Sequence, residues 1–273
     1  MDTWRLLMTP PARGAWNMAV DEALLEAVGR GESLPTLRLY DWAPACLSLG
    51  IAQSYKDVDV PRLEANGWDV VRRATGGRAI LHVDELTYSV TAPPDEPRVQ
   101  GSVLESYRRL AGALVAAVRA LGLDVEMEAH APHATTNSAE KGPVCFEVPS
   151  AYEIVVGGKK LVGSAQARKR HGVLQHGTLP LYGDLTRITQ ALVFPDEPSR
   201  LAAGQKLLAR AVTAESVTGL IIPWETAAAA FVSAFETSLD IKLEPDELTA
   251  AEIARAQELV QNKYDHPVWT ERS

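Results

Sequence analysis

Apolar side chains first recur at helical spacing in residues 17–28, where Val20, Leu24 and Val28 stand four apart and Gly29 and Gly31 follow. That stripe predicts an amphipathic helix with a glycine stop. Short runs of strand formers come next: Leu37-Arg38-Leu39-Tyr40, Cys46-Leu47-Ser48-Leu49-Gly50-Ile51 and Trp68-Asp69-Val70-Val71-Arg72-Arg73, each bounded by Pro, Gly or Asn. They predict sheet strands, and residues 79–82 and 86–90 are expected to extend the same sheet before the loop at 93–98. Ser102 and Glu105 form a capping box ahead of Leu110, Leu114, Val118 and Leu121, and Gly122 closes that helix.

Residues 129–143 show no apolar period and predict a loop that delivers the segment from Cys145 onward. Gly157-Gly158 lies between residues 152–156 and 160–166, and a Gly-Gly pair supplies the positive φ angles of a tight hairpin. A further strand is expected over 173–181. Alanine-rich stretches at 201–217, 225–239 and 246–261 predict helices. No internal repeat is present, and one main domain with a helical C-terminal part, about 201–262, is expected across residues 1–273.

Composition narrows the function. With 46% hydrophobic and 23% charged residues among 273, the chain has the apolar material for a large core. A formal net charge of -8 offers no basic face for phosphates, so nucleic acid is not an expected partner. Cys46 and Cys145 lie far apart without CxxC spacing, which argues against a disulfide framework or a thiolate zinc site, and no metal is expected. Residues 1–8 lack the basic and apolar regions of a signal peptide, and no apolar run approaches the roughly 20 residues of a spanning helix. No membrane partner and a cytoplasmic location are expected.

Three segments carry candidate chemistry. The first is Arg72-Arg73-Ala74-Thr75-Gly76-Gly77-Arg78-Ala79-Ile80-Leu81-His82. Paired glycines let a ligand lie against the backbone, and the arginines suit a carboxylate or phosphate; a hairpin turn with solvated arginines is the plain alternative. There is no P-loop or dinucleotide fingerprint. The second is Cys145-Phe146-Glu147-Val148-Pro149-Ser150. A thiol accepts acyl groups when ionised and needs a cation or base nearby to be so. A lone cysteine is more often a small buried hydrophobe, a role Cys46 fits better; His130 and His133 precede Cys145 as candidate bases. The third is Lys159-Lys160-Leu161-Val162-Gly163-Ser164-Ala165-Gln166, followed by Leu174-Gln175-His176-Gly177-Thr178. Lys160 starts a strand that turns apolar at once, so its ammonium is expected to be partly desolvated and able to lower a thiol pKa or stabilise an oxyanion. Arg168-Lys169-Arg170-His171 reads as an exposed turn and the clearest local basic patch for an acidic partner.

Together these segments resemble the biotin and lipoate protein ligase superfamily, in which an R-R-x-x-G-G-x-x-x-x-H and a K-x-x-G-S-A segment line one acyl pocket. Here they are Arg72 to His82 and Lys160 to Ala165, and the resemblance runs from Trp16 to Leu181, with a weaker extension to Lys263-Tyr264-Asp265 and Trp269. It implies an α+β fold, a mixed, largely antiparallel β-sheet flanked by helices. Cys145-Phe146 shortly before Pro149-Ser150 is similar to the cysteine-dependent octanoyltransferases of Gram-positive type. That likeness implies an acyltransferase of lipoate biosynthesis, with octanoyl-acyl carrier protein as donor, a lipoyl-domain protein of the glycine cleavage H protein kind as acceptor, and no cofactor. Cys145 would carry the acyl group and Lys160 would be the pocket lysine. Arg72, Arg73, Gly76, Gly77, His82, Gly163, Ser164, Ala165, His176 and Gly177 would line the acyl site. A Gly163-Ser164 turn would lend backbone N–H groups to the oxyanion, and Lys160 or His82 would deprotonate the acceptor lysine. The rival readings are an ATP-dependent lipoate-protein ligase, in which Arg72, Arg73 and Lys160 contact an adenylate, an octanoyl amidotransferase between lipoyl domains, and a non-catalytic acyl-binding protein.

Overall fold

A computed structural model describes residues 1–129 and 152–272. Its strands are Asp2–Met8 (β1), Thr36–Tyr40 (β2), Cys46–Leu49 (β3), Asp69–Arg72 (β4), Ile80–His82 (β5), Glu85–Ala92 (β6), Glu126–Ala129 (β7), Tyr152–Val156 (β8), Lys159–Lys169 (β9), Gly172–Pro180 (β10) and Ile241–Pro245 (β11). The helices are Gly14–Gly29 (α1), Val60–Ala65 (α2), Val103–Ala120 (α3), Glu197–Leu208 (α4), Ala214–Thr218 (α5), Trp224–Leu239 (α6), Ala250–Leu259 (α7) and Pro267–Thr270 (α8). No helix among the described residues is long and apolar enough to cross a membrane.

Two sheets form where one was expected. An eight-stranded sheet runs β11-β1-β2-β6-β10-β9-β8-β7, and β4-β3-β5 make a separate three-stranded sheet. In the large sheet β1 is parallel to both β11 and β2, and the other pairs are antiparallel. The division has a local cause. Both edges of β6 are taken by β2 and β10, and Asp84, in the left-handed region at φ 54°, turns the chain sharply between β5 and β6.

The sequence of β6, Glu85-Leu86-Thr87-Tyr88-Ser89-Val90-Thr91-Ala92, is buried along its whole length and alternates strictly. Leu86, Tyr88, Val90 and Ala92 join a core with Leu110, Leu114 and Val118 of α3 and Phe231 and Phe235 of α6. By the two-residue period of a strand, Glu85, Thr87, Ser89 and Thr91 face the other way, toward α1 and the small sheet. The large sheet therefore has one apolar face under helices and one polar, buried face over the site.

The expected capping box holds α3: Ser102 and Glu105 bond each other's backbone N–H groups, and Gly122 follows at φ 84°. The hairpin between β8 and β9 turns on Gly157 and Gly158 at φ 54° and 74°. The first helix departs from the amphipathic reading, because 13 of its 16 residues are buried. It lies between the large sheet and a layer made by the small sheet and α7, so its polar residues Asn17, Asp21 and Glu22 find partners inside. The stretch 201–217 divides into α4 and α5, and in the break Arg210 and Val212 bond the backbone of Lys160. The basic turn is exposed at Lys169, Arg170 and His171, as expected, but two of its cations have partners within the chain: Lys169 pairs with Glu22 at 2.8 Å, and Arg168 bonds Val99, Gln166 and Ser106.

Glu22 ties α1 to the C-terminal tail through Lys263 and Tyr264. Burial opposes its charge, yet hydrogen bonds from Lys169, Lys263 and Tyr264 outweigh that and hold the carboxyl at about 2, below an ordinary 4.5. A depressed carboxylate contributes stability that is present above its unfolded value and is lost as pH falls through its folded one. Glu22→Gln is therefore expected to cost about 3 kcal/mol near neutrality, with the penalty shrinking between about pH 5 and about pH 2.5 in denaturant titrations. An equal penalty at both ends would assign the cost to packing instead.

Candidate active site

Between the polar face of the large sheet and the small sheet lies a cavity. Met18 of α1, Tyr40 of β2 and Trp42 contribute apolar surface; Ser48, Ile80 and His82 come from the small sheet, and Thr87 and Thr178 from the large one. Of the residues expected at the site, Arg73, Gly76, Gly77, His82, Gly163, Ser164, Ala165, His176 and Gly177 all line it. Met18, Tyr40, Trp42, Ser48, Ile80, Thr87 and Thr178 join them without having been assigned to the site from the sequence. The readable signal for Thr87 was the polar half of the β6 alternation.

The glycine loop needs its glycines for steric reasons. Gly77 has φ 96°, a conformation that L side chains rarely adopt, and a Cβ on Gly50 would lie 1.9 Å from the Gly77 carbonyl oxygen. Arg73 braces this loop, and Arg72 braces the 50–53 turn and the C-terminal tail. A guanidinium has five N–H donors. In Arg73 they reach the Gly76 and Arg78 carbonyls, the Ser48 carbonyl and the Ser48 hydroxyl. In Arg72 they reach the carbonyls of Gly50, Gln53, Trp269, Thr270 and Arg272. Arg72, fully buried, does not line the cavity. The expectation that it contacts an acyl or phosphate ligand is corrected: it fastens the C-terminal tail, and Trp269 answers by donating to the Arg72 carbonyl at 2.8 Å.

Both cavity histidines, His82 and His176, have both ring nitrogens engaged. His82 stacks on Trp42, with ring centroids 4.0 Å apart, and reaches Glu85 Oε1 through Nδ1 and Ser48 Oγ through Nε2, each at 2.7 Å. Glu85 Oε1 also accepts from Thr87, so Nδ1 is the donor and Nε2 the acceptor in the neutral ring. A proton moving from the cavity to His82 would pass through Ser48. His176 contacts Thr75 Oγ1 at 2.7 Å and Asp21 Oδ2 at 3.3 Å. Burial pushes His176 below the usual imidazole range against the pull of Asp21, which keeps the ring uncharged at neutral pH.

Lys160 reaches the site face by a change of register. Val155 pairs with Lys160 but Ile154 pairs with Val162, so β9 carries one extra residue there, a bulge that reverses the alternation. Cross-strand partners share a face. Lys160 thus lies on the same side as Gly163 and Ala165, whereas without the bulge it would point into the helix-covered core. It is 4% exposed and donates to Glu153 Oε1 at 2.8 Å, though it is not among the residues lining the cavity. Gly163 and Ser164 are not on a turn: they sit within β9 opposite Thr178 and Gly177, and the Ser164 hydroxyl bonds the Tyr88 phenol at 2.8 Å. Cys145, with His130 and His133, lies outside the described residues. Cys46 is fully buried, and burial pushes its thiol well above the ordinary range.

The lipoyl protein ligase A/B catalytic domain family model matches residues 13–236. This chain belongs to that family. Among curated relatives, the octanoyltransferase LipM of Kyrpidia tusciae is 43% identical over the whole of both chains, and the octanoyltransferase LipM of Staphylococcus aureus is 36% identical over 98% of both. Among solved structures, the bi-partite lipoate protein ligase of Thermoplasma acidophilum superposes with a TM-score of 0.81 at 26% identity, covering 99% of this chain and 97% of that one. A lipoate-protein ligase A bound with ATP gives a TM-score of 0.77 at 25% identity over 99% of both. The family fold is the α+β arrangement described above, a mixed sheet flanked by helices.

The brace formed by Arg72 is open to a direct check. Arg72→Lys leaves at most three donors for five carbonyl contacts and is expected to lower unfolding stability by about 2–4 kcal/mol. A variant with wild-type stability and weakened substrate binding would return Arg72 to the ligand.

Proposed function

We propose that this family member is an octanoyltransferase that takes an octanoyl group from acyl carrier protein onto Cys145 and passes it to a lysine of a lipoyl-domain protein in lipoate biosynthesis. The observation that carries the reading is the end-to-end likeness to octanoyltransferases at 36–43% identity. Two features of the cavity support it. Its Met18, Tyr40 and Trp42 surface suits a saturated chain, and the arginines that an adenylate would need already have their donors filled by this chain's own oxygens.

The chemistry follows from the residue types. Cys145 thiolate attacks the donor thioester, the carrier thiol leaves with the proton that Cys145 gave up, and octanoyl-Cys145 results. Lys160, held in place by Glu153, supplies positive charge beside the thioester. An acceptor lysine, as its free amine, then attacks octanoyl-Cys145, its proton passing through Ser48 to His82 and on to the departing Cys145 sulfur, which restores the thiol. The donor arrives activated, so neither step draws on a nucleotide.

The test is intact mass of the purified protein with octanoyl-acyl carrier protein, without ATP, before and after hydroxylamine. The wild type is expected to gain one hydroxylamine-labile octanoyl group and Cys145→Ala none. Modification of a lipoyl domain only with free octanoate and ATP would replace this reading with the ligase, and loading from an octanoylated lipoyl domain alone would replace it with the amidotransferase.

A further inference from the structure

Thr178 stands within β10, paired with Thr87 on one side and Gly163 on the other. Both partners line the cavity, and cross-strand partners share a face, so the Thr178 side chain is turned to the cavity. Its hydroxyl oxygen is buried without a hydrogen-bond partner among the described residues, and the residue is 1% exposed. A buried hydroxyl left unpaired bears its full desolvation cost, and a native structure that keeps one calls for an explanation. Trp4, Thr91 and Trp224 also carry a buried unpartnered polar atom, but none of them lines this cavity. Gly163, opposite Thr178, has no side chain to cover the hydroxyl. A second cavity shares Ile80 and Thr178 with the first and is lined further by Glu85, Pro180, Tyr182 and Leu185.

We propose that Thr178 is a catalytic residue whose hydroxyl donates a hydrogen bond to the acyl carbonyl oxygen of the thioester. The assignment rests on the octanoyl-transfer reading above. An acyl thioester has an apolar tail, one carbonyl that gains negative charge during transfer, and an amide-bearing arm beyond the sulfur. The tail fits the Met18, Tyr40 and Trp42 surface, the carbonyl meets the unpaired donor at the junction of the two cavities, and the arm leaves by way of the second. As the attacking thiolate forms its bond to carbon, the carbonyl π pair moves onto oxygen and Thr178 O–H holds it. When that pair returns, the bond to the donor sulfur breaks and the donor thiol departs with the proton released by the nucleophile. Thr178 thus takes the place that the supposed Gly163-Ser164 turn does not fill, on the face of the sheet that also carries Lys160.

The experiment is single-turnover octanoylation by octanoyl-acyl carrier protein, followed by mass, for wild type, Thr178→Val and Thr178→Ser, with melting temperatures of all three. Thr178→Val is expected to acylate about 100-fold more slowly at saturating donor, with the half-saturating concentration within about threefold of wild type. Its melting temperature should equal or exceed the wild-type value, because it removes an unpaired buried oxygen, whereas a structural hydroxyl would lower it. Thr178→Ser should keep the rate within about fivefold. Thr178→Ala makes the same comparison should valine crowd the strand. A wild-type rate in Thr178→Val and Thr178→Ala, or a Thr178→Ser as slow as they are, overturns this assignment alone; a wild type that takes no octanoyl group overturns the transfer reading with it.

Discussion

The site is organised around one buried carboxylate. Asp21, 1% exposed on α1, accepts from Arg38 at 2.8 Å, Tyr40 at 3.0 Å and Ser89 at 2.8 Å, and meets His176 at 3.3 Å. Those partners stand on β2, β6 and β10, so a single anion locks the central helix across the middle of the large sheet. Through His176 the link reaches Thr75 in the glycine loop. Burial penalises the charge on Asp21, but His176, Arg38 and Ser89 more than offset that and keep its carboxyl below the usual range. A buried ion pair of this kind adds little against a well-packed apolar substitute, yet loss of one partner is severe, on the order of 3–5 kcal/mol. Its value here lies in geometry: it fixes the distance between α1 and the polar face of β6 and β10, and the cavity is the space left over.

The remaining order follows from that clamp. With α3 and α6 covering one face of the sheet, the polar half of each strand is forced inward, where Glu85 and Thr87 position His82 and Trp42. The small sheet closes the opposite wall, and Arg72 and Arg73 hold its glycine loop and the tail in place with guanidinium groups whose donors end on carbonyl and hydroxyl oxygens of this chain.

What the sequence made legible is local. The Ser102 and Glu105 box, the Gly157-Gly158 turn and the pocket segments around Gly76 and Gly163 each depend on neighbours a few residues apart, and each lies where its pattern predicts. What it concealed depends on distant partners. The strands β1 and β11 pair from opposite ends of the chain, and the charge of Arg5 inside β1 looks out of place until Asp246 and Glu252 neutralise it. The split into two sheets hangs on the single backbone reversal at Asp84, and the side that Lys160 faces on one inserted residue in β9. Arg72 and Arg73 look alike as neighbours in a motif. Their duties separate only once Trp269, Thr270 and Arg272 are folded back over β4. Asp21 gave no sign of its role, because the residues it joins are scattered from position 38 to position 176.

In the proposed reaction an acyl chain lies between the two sheets with its tail at Met18 and Trp42 and its carbonyl toward Thr178. A crystal structure of the protein carrying an octanoyl group from its donor tests this most directly. The terminal carbons are expected against Trp42 and Met18 and the carbonyl oxygen within hydrogen-bond distance of Thr178 Oγ1. An octanoyl chain seated outside this cavity, or running through it with the carbonyl at Trp42, would contradict it.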